Sequence, residues 1–224
     1  LNKKSFTARI IASKEAKGNV FIPFSVIDDF KEYIITNISE GAFKYSKIES
    51  LTIAEDSVIS SIPGHVFENS TIKDLHLPAS IEKLEEFWCF STPNLINVTI
   101  SSDNQKFLIQ EQKILLGKTV ENYDTFYFAN RDIQTVFIPS TIKRINSCCF
   151  QNCSKLKSIQ FSNDSKLEMI GKYSFANSSF EYLKIPKSVS HIDDHAFFIC
   201  KNIQLIIFDS DSNLSFMGKS AFES

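Results

Sequence analysis

Residues 185–200 read Ile185-Pro186-Lys187-Ser188-Val189-Ser190-His191-Ile192-Asp193-Asp194-His195-Ala196-Phe197-Phe198-Ile199-Cys200. A proline follows an apolar residue, a short apolar alternation follows the proline, and a small residue stands before a phenylalanine. Residues 138–153 keep the same order, from Ile138-Pro139-Ser140-Thr141-Ile142 through Ile145 to Cys149-Phe150 and Cys153. The small-Phe pair recurs as Ala42-Phe43, Val66-Phe67, Cys89-Phe90, Ser174-Phe175 and Ala221-Phe222, so the Phe spacings are 24, 23, 60, 25, 22 and 25. In step with it runs apolar-x-x-apolar-x-apolar, as Ile48/Leu51/Ile53, Ile72/Leu75/Leu77, Leu95/Val98/Ile100, Ile133/Val136/Ile138, Leu156/Ile159/Phe161, Phe180/Leu183/Ile185 and Ile203/Ile206/Phe208. A fixed period of this length marks a solenoid, in which one coil is too small to bury its own apolar face and must stack on its neighbours.

The alternation in Leu183-Lys184-Ile185 has period two, which places successive side chains on opposite faces of a strand. Equivalent strands of successive coils then stack in parallel. Proline ends the strand, because it donates no ladder hydrogen bond and restricts the residue before it. A second short strand is expected over 188–192, followed by a tight turn or short helix that points the repeat Phe inward. Phe43, Phe67, Phe90, Phe150, Phe175, Phe197 and Phe222 should therefore form one interior row. A large apolar residue stands five before the Phe at Ile38, Ile62, Ile145, Ile170, Ile192 and Met217. Leu84 is offset by one, which predicts a local insertion. Ile22-Pro23-Phe24-Ser25-Val26 reads as an earlier copy.

The composition suits a folded chain: 224 residues, 43% hydrophobic, formal net charge −2, with only 6 Gly and 6 Pro. With a pI near 6.1 and no basic block, nothing points to a nucleic-acid partner. No apolar run approaches the length of a membrane-spanning helix. The amino end offers only Ile10-Ile11-Ala12, shorter than the apolar core of a signal peptide. A start at Leu1 and an end inside a repeat read as a fragment of a longer protein.

The pattern apolar-Pro-x-Ser/Thr-Ile/Val, the Phe and the following Cys or Ser, then Leu-x-x-Ile-x-Ile, resembles the leucine-rich repeat of the BspA-like surface protein family over residues 38–222. The resemblance implies a leucine-rich-repeat solenoid: a β-rich α/β horseshoe with a concave parallel sheet, short second strands and short helical or 3-10 turns, about 23 residues per coil. Residues 1–37 match weakly as an N-terminal unit, 38–100 and 133–224 are repeats, the latter without a C-terminal cap, and 101–132 form a hairpin-like island inserted in one coil. It also implies a non-enzymatic protein-binding module of a surface-exposed or secreted, adhesin-like protein, with a host or extracellular-matrix protein as partner. The alternative is an intracellular repeat scaffold or structural spacer.

The island holds Phe107-Leu108-Ile109, Lys113-Ile114-Leu115-Leu116-Gly117 and Tyr123-Asp124-Thr125-Phe126-Tyr127-Phe128. It is either a decoration that leaves the flanking ladder strands adjacent or a contact loop, whose most adhesive part is then Phe126-Tyr127-Phe128. Cys89, Cys149, Cys153 and Cys200 of the five cysteines fall on repeat positions where other coils carry Ala, Val or Ser, so buried thiols without a disulfide are expected. His191 and His195 with Asp193 and Asp194 imitate a metal cluster, but a strand-to-turn transition does not converge them, and no metal or other cofactor is expected. A Cys–His nucleophile pair fails similarly, because Cys149 is expected to be buried and no His lies at a matching arch position in its coil, so the sequence shows no catalytic machinery. Asn-x-Ser/Thr occurs at Asn37, Asn69, Asn97, Asn152, Asn163, Asn177 and Asn213. Glycosylation is one reading. For Asn69, Asn152 and Asn177, two residues after the Phe, a left-handed turn is the other.

Solenoids bind on the extended concave sheet, whose outward residues follow from the repeat phase. The first coils offer Ser50 and Thr52, Asp74 and His76, Asn97 and Thr99. The later coils offer Thr135 and Phe137, Ser158 and Gln160, Tyr182 and Lys184, Leu205 and Ile207. Asp74, His76, Asn97, Thr99, Thr135, Phe137, Ser158, Gln160, Tyr182, Lys184, Leu205 and Ile207 are thus the candidate ligand-binding residues. Phe137, Tyr182, Leu205 and Ile207 are either interface anchors or are covered by further chain.

Overall fold

The computed structural model describes residues 1–111, 113–118 and 122–223. The chain divides into two compact units, Leu1–Gln112 and Lys113–Ser224. The first contains β1 (Thr7–Ile10), β2 (Lys17–Ile22), β3 (Ser25–Asp28), β4 (Lys31–Ile38), β5 (Lys47–Ile53), β6 (Ser61–Ile62), β7 (Asp74–Leu77), β8 (Lys83–Leu84), β9 (Asn97–Ile100) and β10 (Phe107–Gln110). The second contains β11 (Ile114–Lys118), β12 (Tyr123–Ala129), β13 (Thr135–Ile138), β14 (Arg144–Ile145), β15 (Ser158–Phe161), β16 (Met169–Ile170), β17 (Tyr182–Ile185), β18 (His191–Ile192), β19 (Leu205–Phe208) and β20 (Phe216–Met217).

In the first unit the ladder strands run in the order β2-β5-β7-β9, all parallel. The proline-marked segment at Ile22 does join this ladder, with Ile22 opposite Ile53. Ahead of the repeats, β3 and β4 form an antiparallel hairpin and β1 lies parallel to β4. In the second unit the short arch strands β14, β16, β18 and β20 stack in parallel, one per coil. The inward residues Leu51, Leu75, Leu183, Ile62, Ile145, Ile170 and Ile192 are buried. Residues facing the other way on the same strands are partly or fully exposed. The two faces of one strand thus separate by burial alone, as period-two patterning demands.

The expected short helical or 3-10 turns are not there: among the described residues the structure contains no helix, so the α component of the expected α/β horseshoe is corrected to an all-β coil. The backbone around the repeat Phe explains why. Ala42, Lys44 and Ser46 donate N–H bonds to carbonyls three residues back, Ser39, Gly41 and Phe43. Between them, Phe43 and Tyr45 donate to Val66 and Glu68 of the next coil. Local and inter-coil bonds alternate, so consecutive i to i+3 bonds never accumulate into a helix. Left-handed residues punctuate each turn two before and two after the Phe, at Gly41 and Tyr45, His65 and Asn69, Cys148 and Asn152, Tyr173 and Asn177, His195 and Ile199. Asn69, Asn152 and Asn177 have φ of 55°, 62° and 57°, so their place in the sequence has a backbone cause.

The same frame corrects one member of the Phe row. Phe87 and Ser91 are the left-handed pair of their coil, which places Cys89, not Phe90, at the row position. Trp88 donates to the Glu85 carbonyl as Ala196 donates to Asp193, so a tryptophan fills the slot that is small elsewhere. This coil exchanges bulk between adjacent positions: Trp88 and Cys89 are both buried, while Phe90 is half-buried. Leu84 stands directly opposite Ile62, so the local insertion expected there does not exist. In the second unit the row runs Phe150, Phe175, Phe197 and Phe222, with near-parallel rings 4.9, 5.2 and 4.8 Å apart.

In residues 101–132, β11 and β12 form an antiparallel hairpin, and β12 then pairs in parallel with β14 through Phe126 opposite Ile145. The hairpin therefore supplies the arch strand that begins the second unit's stack. Phe126 and Phe128 are buried in the core, which overturns their reading as an adhesive surface. Burial also raises the phenol pKa of Tyr127 between them. Buried Arg131 ties the hairpin to the next coil: its guanidinium lies 4.5 Å from the Phe128 ring and donates to the Cys149 carbonyl at 2.7 Å. Residues 112 and 119–121 of the island lie outside the described residues.

Candidate ladder-face site

Two kinds of turn follow the ladder strands, and they alternate along each run of coils. Where proline follows the strand, the chain reaches its next inward residue in four steps, from Leu77 to Ile81, Ile138 to Ile142 and Ile185 to Val189. The N–H of that residue bonds the proline carbonyl, at Ile81 to Pro78, Ile142 to Pro139 and Val189 to Pro186. In the other coils the path takes six steps, from Ile53 to Ile59, Phe161 to Leu167 and Phe208 to Leu214. There a serine hydroxyl, of Ser57, Ser165 or Ser212, accepts the N–H of the inward residue. The longer turns carry Glu55, Asp56, Asp164, Asp209 and Asp211 and so place carboxylates at one end of the ladder face.

The outward residues lie in register across the first unit. One column is Asn19, Ser50, Asp74 and Asn97; the other is Phe21, Thr52, His76 and Thr99. Asn97 donates to the Asp74 carboxylate at 3.0 Å and Ser50 to Asn19 at 2.8 Å. His76 bridges the Thr99 hydroxyl at 2.9 Å and the Glu55 carboxylate at 2.7 Å. Phe21 stands 61% exposed beside this polar array. Its place was readable in Val20-Phe21-Ile22-Pro23, by extending the alternation back one coil.

In the second unit Thr135 and Phe137 stand opposite Ser158 and Gln160, and Tyr182 and Lys184 opposite Leu205 and Ile207. Phe137, Tyr182 and Leu205 are 57%, 49% and 51% exposed, and Ile207 is half-buried. Each candidate residue thus lies on the outward face of its strand. They do not form one array, because the ladder of this unit is broken: β13 pairs with β15 and β17 with β19, but β15 and β17 share no ladder. The arch strands of the same two coils, β16 and β18, remain paired. The coils therefore part on one side only.

Two residues set this coil apart from its neighbours. Pro186 at the end of β17 has no N–H to offer the preceding coil. Phe180 occupies the inward position that Leu156 and Ile203 hold in the adjacent coils, and its ring packs edge-on against Phe175 and Phe197. The equivalent residue in the first unit is Ile72, and there β5 and β7 stay paired although Pro78 follows β7. Phe180 is the larger side chain, and its ring contacts lie with Phe175 and, on the β19 side, with Phe197.

The parted strands border a cavity of about 670 Å3 lined by Gln160, Phe161, Ser162–Ser165, Tyr182, Lys184, Pro186, Lys187, Asp209 and Asp211. Lys184 bonds Asp209 at 2.9 Å, and Lys187 bonds Asp211 at 3.0 Å. The Asp209 bond raises the Lys184 pKa, and the Lys187 bond holds the Asp211 carboxyl below its ordinary range. The Ser162 hydroxyl likewise lowers Asp164. Lys184, Asp211 and Asp164 therefore keep their charges at neutral pH. Of the residues around the cavity, only Gln160, Tyr182 and Lys184 were expected at the site; the six-step turn was the signal for the Ser and Asp residues, and the proline-marked turn for Pro186 and Lys187.

All five cysteines are buried free thiols, and burial pushes Cys200 up to about 11. Among the described residues no group of three or more His, Cys, Asp or Glu is placed to hold a metal ion, and no helix is long and apolar enough to cross a membrane.

No curated protein matches the chain in sequence. Among solved structures, the pneumococcal vaccine antigen PcpA is similar at a TM-score of 0.76 with 23% identity, over 90% of this chain and 47% of that one. The chain thus spans about half of PcpA's length. A leucine rich cell surface protein from Faecalibacterium prausnitzii A2-165 is similar at a TM-score of 0.52 with 14% identity, over 98% of this chain and 92% of that one. At these identities the likeness shows the fold. The model of the BspA type leucine rich repeat region matches residues 29–111 and 118–224 in six copies. On the repeat phase, the stacked coils and this match, the chain belongs to the BspA-type leucine-rich repeat family.

Proposed function

We propose that this chain is a non-enzymatic protein-binding module of a surface-exposed or secreted, adhesin-like protein. The observation that carries the reading is the second unit's ladder face, where Phe137 and Tyr182 stand exposed on strands whose other face is core and Leu205 stands exposed opposite Tyr182. Rigid aromatic and aliphatic anchors on a preformed sheet bury area at little entropic cost, which is the chemistry of protein interfaces. Family membership and the likeness to PcpA and to a cell surface protein support the surface location and a host or extracellular-matrix protein as partner, by analogy. The polar residues Asp74, His76, Asn97, Thr99, Thr135, Ser158 and Gln160 supply directional contacts around those anchors, and Lys184 and Ile207 complete the face.

The test is binding of the folded chain to purified extracellular-matrix proteins and to host cells, against the double variant Phe137→Ala/Tyr182→Ala. Saturable binding that the variant loses is the expected result. Absence of binding by the folded chain would instead favour the spacer reading.

A further inference from the structure

A parallel sheet that is interrupted in its middle exposes two strand edges where a closed ladder has none. Neither β15 nor β17 has a ladder partner on the side that faces the other, and the cavity of about 670 Å3 lies between them. Backbone N–H and C=O groups along such edges are templates for an added strand. Most proteins cover or blunt them. Here the arch strands β16 and β18 and the Phe150-Phe175-Phe197 stack hold the same coils together, so the gap stands between coils whose other side is fixed. The opening is therefore built into the core and does not depend on a flexible loop.

We propose that the gap between β15 and β17 receives an extended segment of a partner protein, which adds as a strand along β15 and carries a basic side chain toward the aspartates at the rim. This deepens the proposed function, on which it rests, by naming how the partner is held. β15 is the better template, since β17 runs into Pro186 and lacks a donor at that end. The charge of the lining sets the chemistry of the occupant: three aspartates, Asp164, Asp209 and Asp211, stand against two lysines, Lys184 and Lys187. Both lysines are already held by aspartates, and Asp164 stays ionised beside Ser162. A Lys or Arg on the incoming strand is favoured there, and an acidic one is repelled. Main-chain bonding carries the affinity in this mode, with side chains adding selectivity.

The probe is a short blocked peptide of alternating Thr and Val with one central Lys, together with the same peptide N-methylated at alternate residues. Titration into the intact chain, followed by amide hydrogen exchange, is expected to slow exchange within residues 158–161 and 182–185. Losing two main-chain bonds by N-methylation should weaken binding about tenfold or more. Equal binding of the two peptides, or no change in exchange at residues 158–161, would overturn the proposal. If the chain binds a matrix protein through Phe137 and Tyr182 but takes up neither peptide, strand addition fails and the ladder-face reading stands; if it takes up the unmethylated peptide alone but binds no protein, the reverse holds.

Discussion

The ladder of the first unit is continuous across four strands, and that of the second comes in two couplets, although both are written in the same repeat. The interiors differ in the opposite sense. The second unit stacks Phe150, Phe175, Phe197 and Phe222 without a break, whereas the first pairs Phe43 with Phe67 at 6.1 Å and then reaches Cys89. A regular core thus does not guarantee a regular surface. The second unit's ladder opens between β15 and β17 while the arch strands β16 and β18 of the same coils stay paired. Burial sets which side chains point inward, and their volumes decide whether backbones come close enough to bond.

The largest effect expected from this comparison is in the Phe row. Phe175→Ala should cost about 3 to 5 kcal/mol in urea unfolding as a core cavity. Phe67→Ala should cost about 1 kcal/mol less, because Phe175 is stacked on both sides and Phe67 has one stacked ring neighbour. Equal losses would mean that ring stacking does not distinguish the units. Next comes the exchanged pair. Trp88→Ala alone should cost about 3 kcal/mol or more, and Cys89→Phe alone about 1 to 3 kcal/mol. The double variant restores the arrangement of the other coils and should be closer to the parent than Trp88→Ala, in the same unfolding assay.

A smaller effect belongs to the turns that both units share. Asn177→Ala should lose about 1 kcal/mol, and Asn177→Gly should lose less, because a left-handed φ of 57° penalises a Cβ. A more stable Ala variant would break the backbone explanation of Asn69, Asn152 and Asn177. Cys200 gives a pH signature. Its thiol ionises only near about 11 in the fold, against 9.0 for an ordinary thiol, so the fold favours the protonated form. That contribution is complete below about pH 9 and is lost as pH rises through 11, which an unfolding series compared with Cys200→Ser would reveal. The smallest effect is at Lys184, on the exposed rim. Lys184→Ala should leave the melting temperature unchanged and alter only ligand binding; a marked drop would contradict its outward placement.

Much of the fold was legible in period and phase. Leu183 and Ile185 point inward and Tyr182 and Lys184 outward because their alternation has no other solution on a strand. Asn152 and Asn177 could be assigned to left-handed turns from their distance to the Phe. Three features were not legible. The absence of helix depends on N–H groups of one coil bonding carbonyls of the next, a partner that no local propensity encodes. The Trp88-Cys89 exchange hides behind Phe90, which mimics the small-Phe pair one residue late. The place of Phe126 and Phe128 stayed open between a decoration and a contact loop because the island breaks the period, and only pairing of β12 with β14 turns them inward.

The sequence by itself determined the coil, the direction of each ladder side chain and the residues that punctuate the turns, because these follow from spacing along one chain. Only the tertiary structure decided where the ladder opens. Whether β15 meets β17 depends on how the inward side chains of successive coils pack together, as Phe180 packs against Phe175 and Phe197. Such a sum of packed volumes across three coils has no counterpart in the pattern of any one of them.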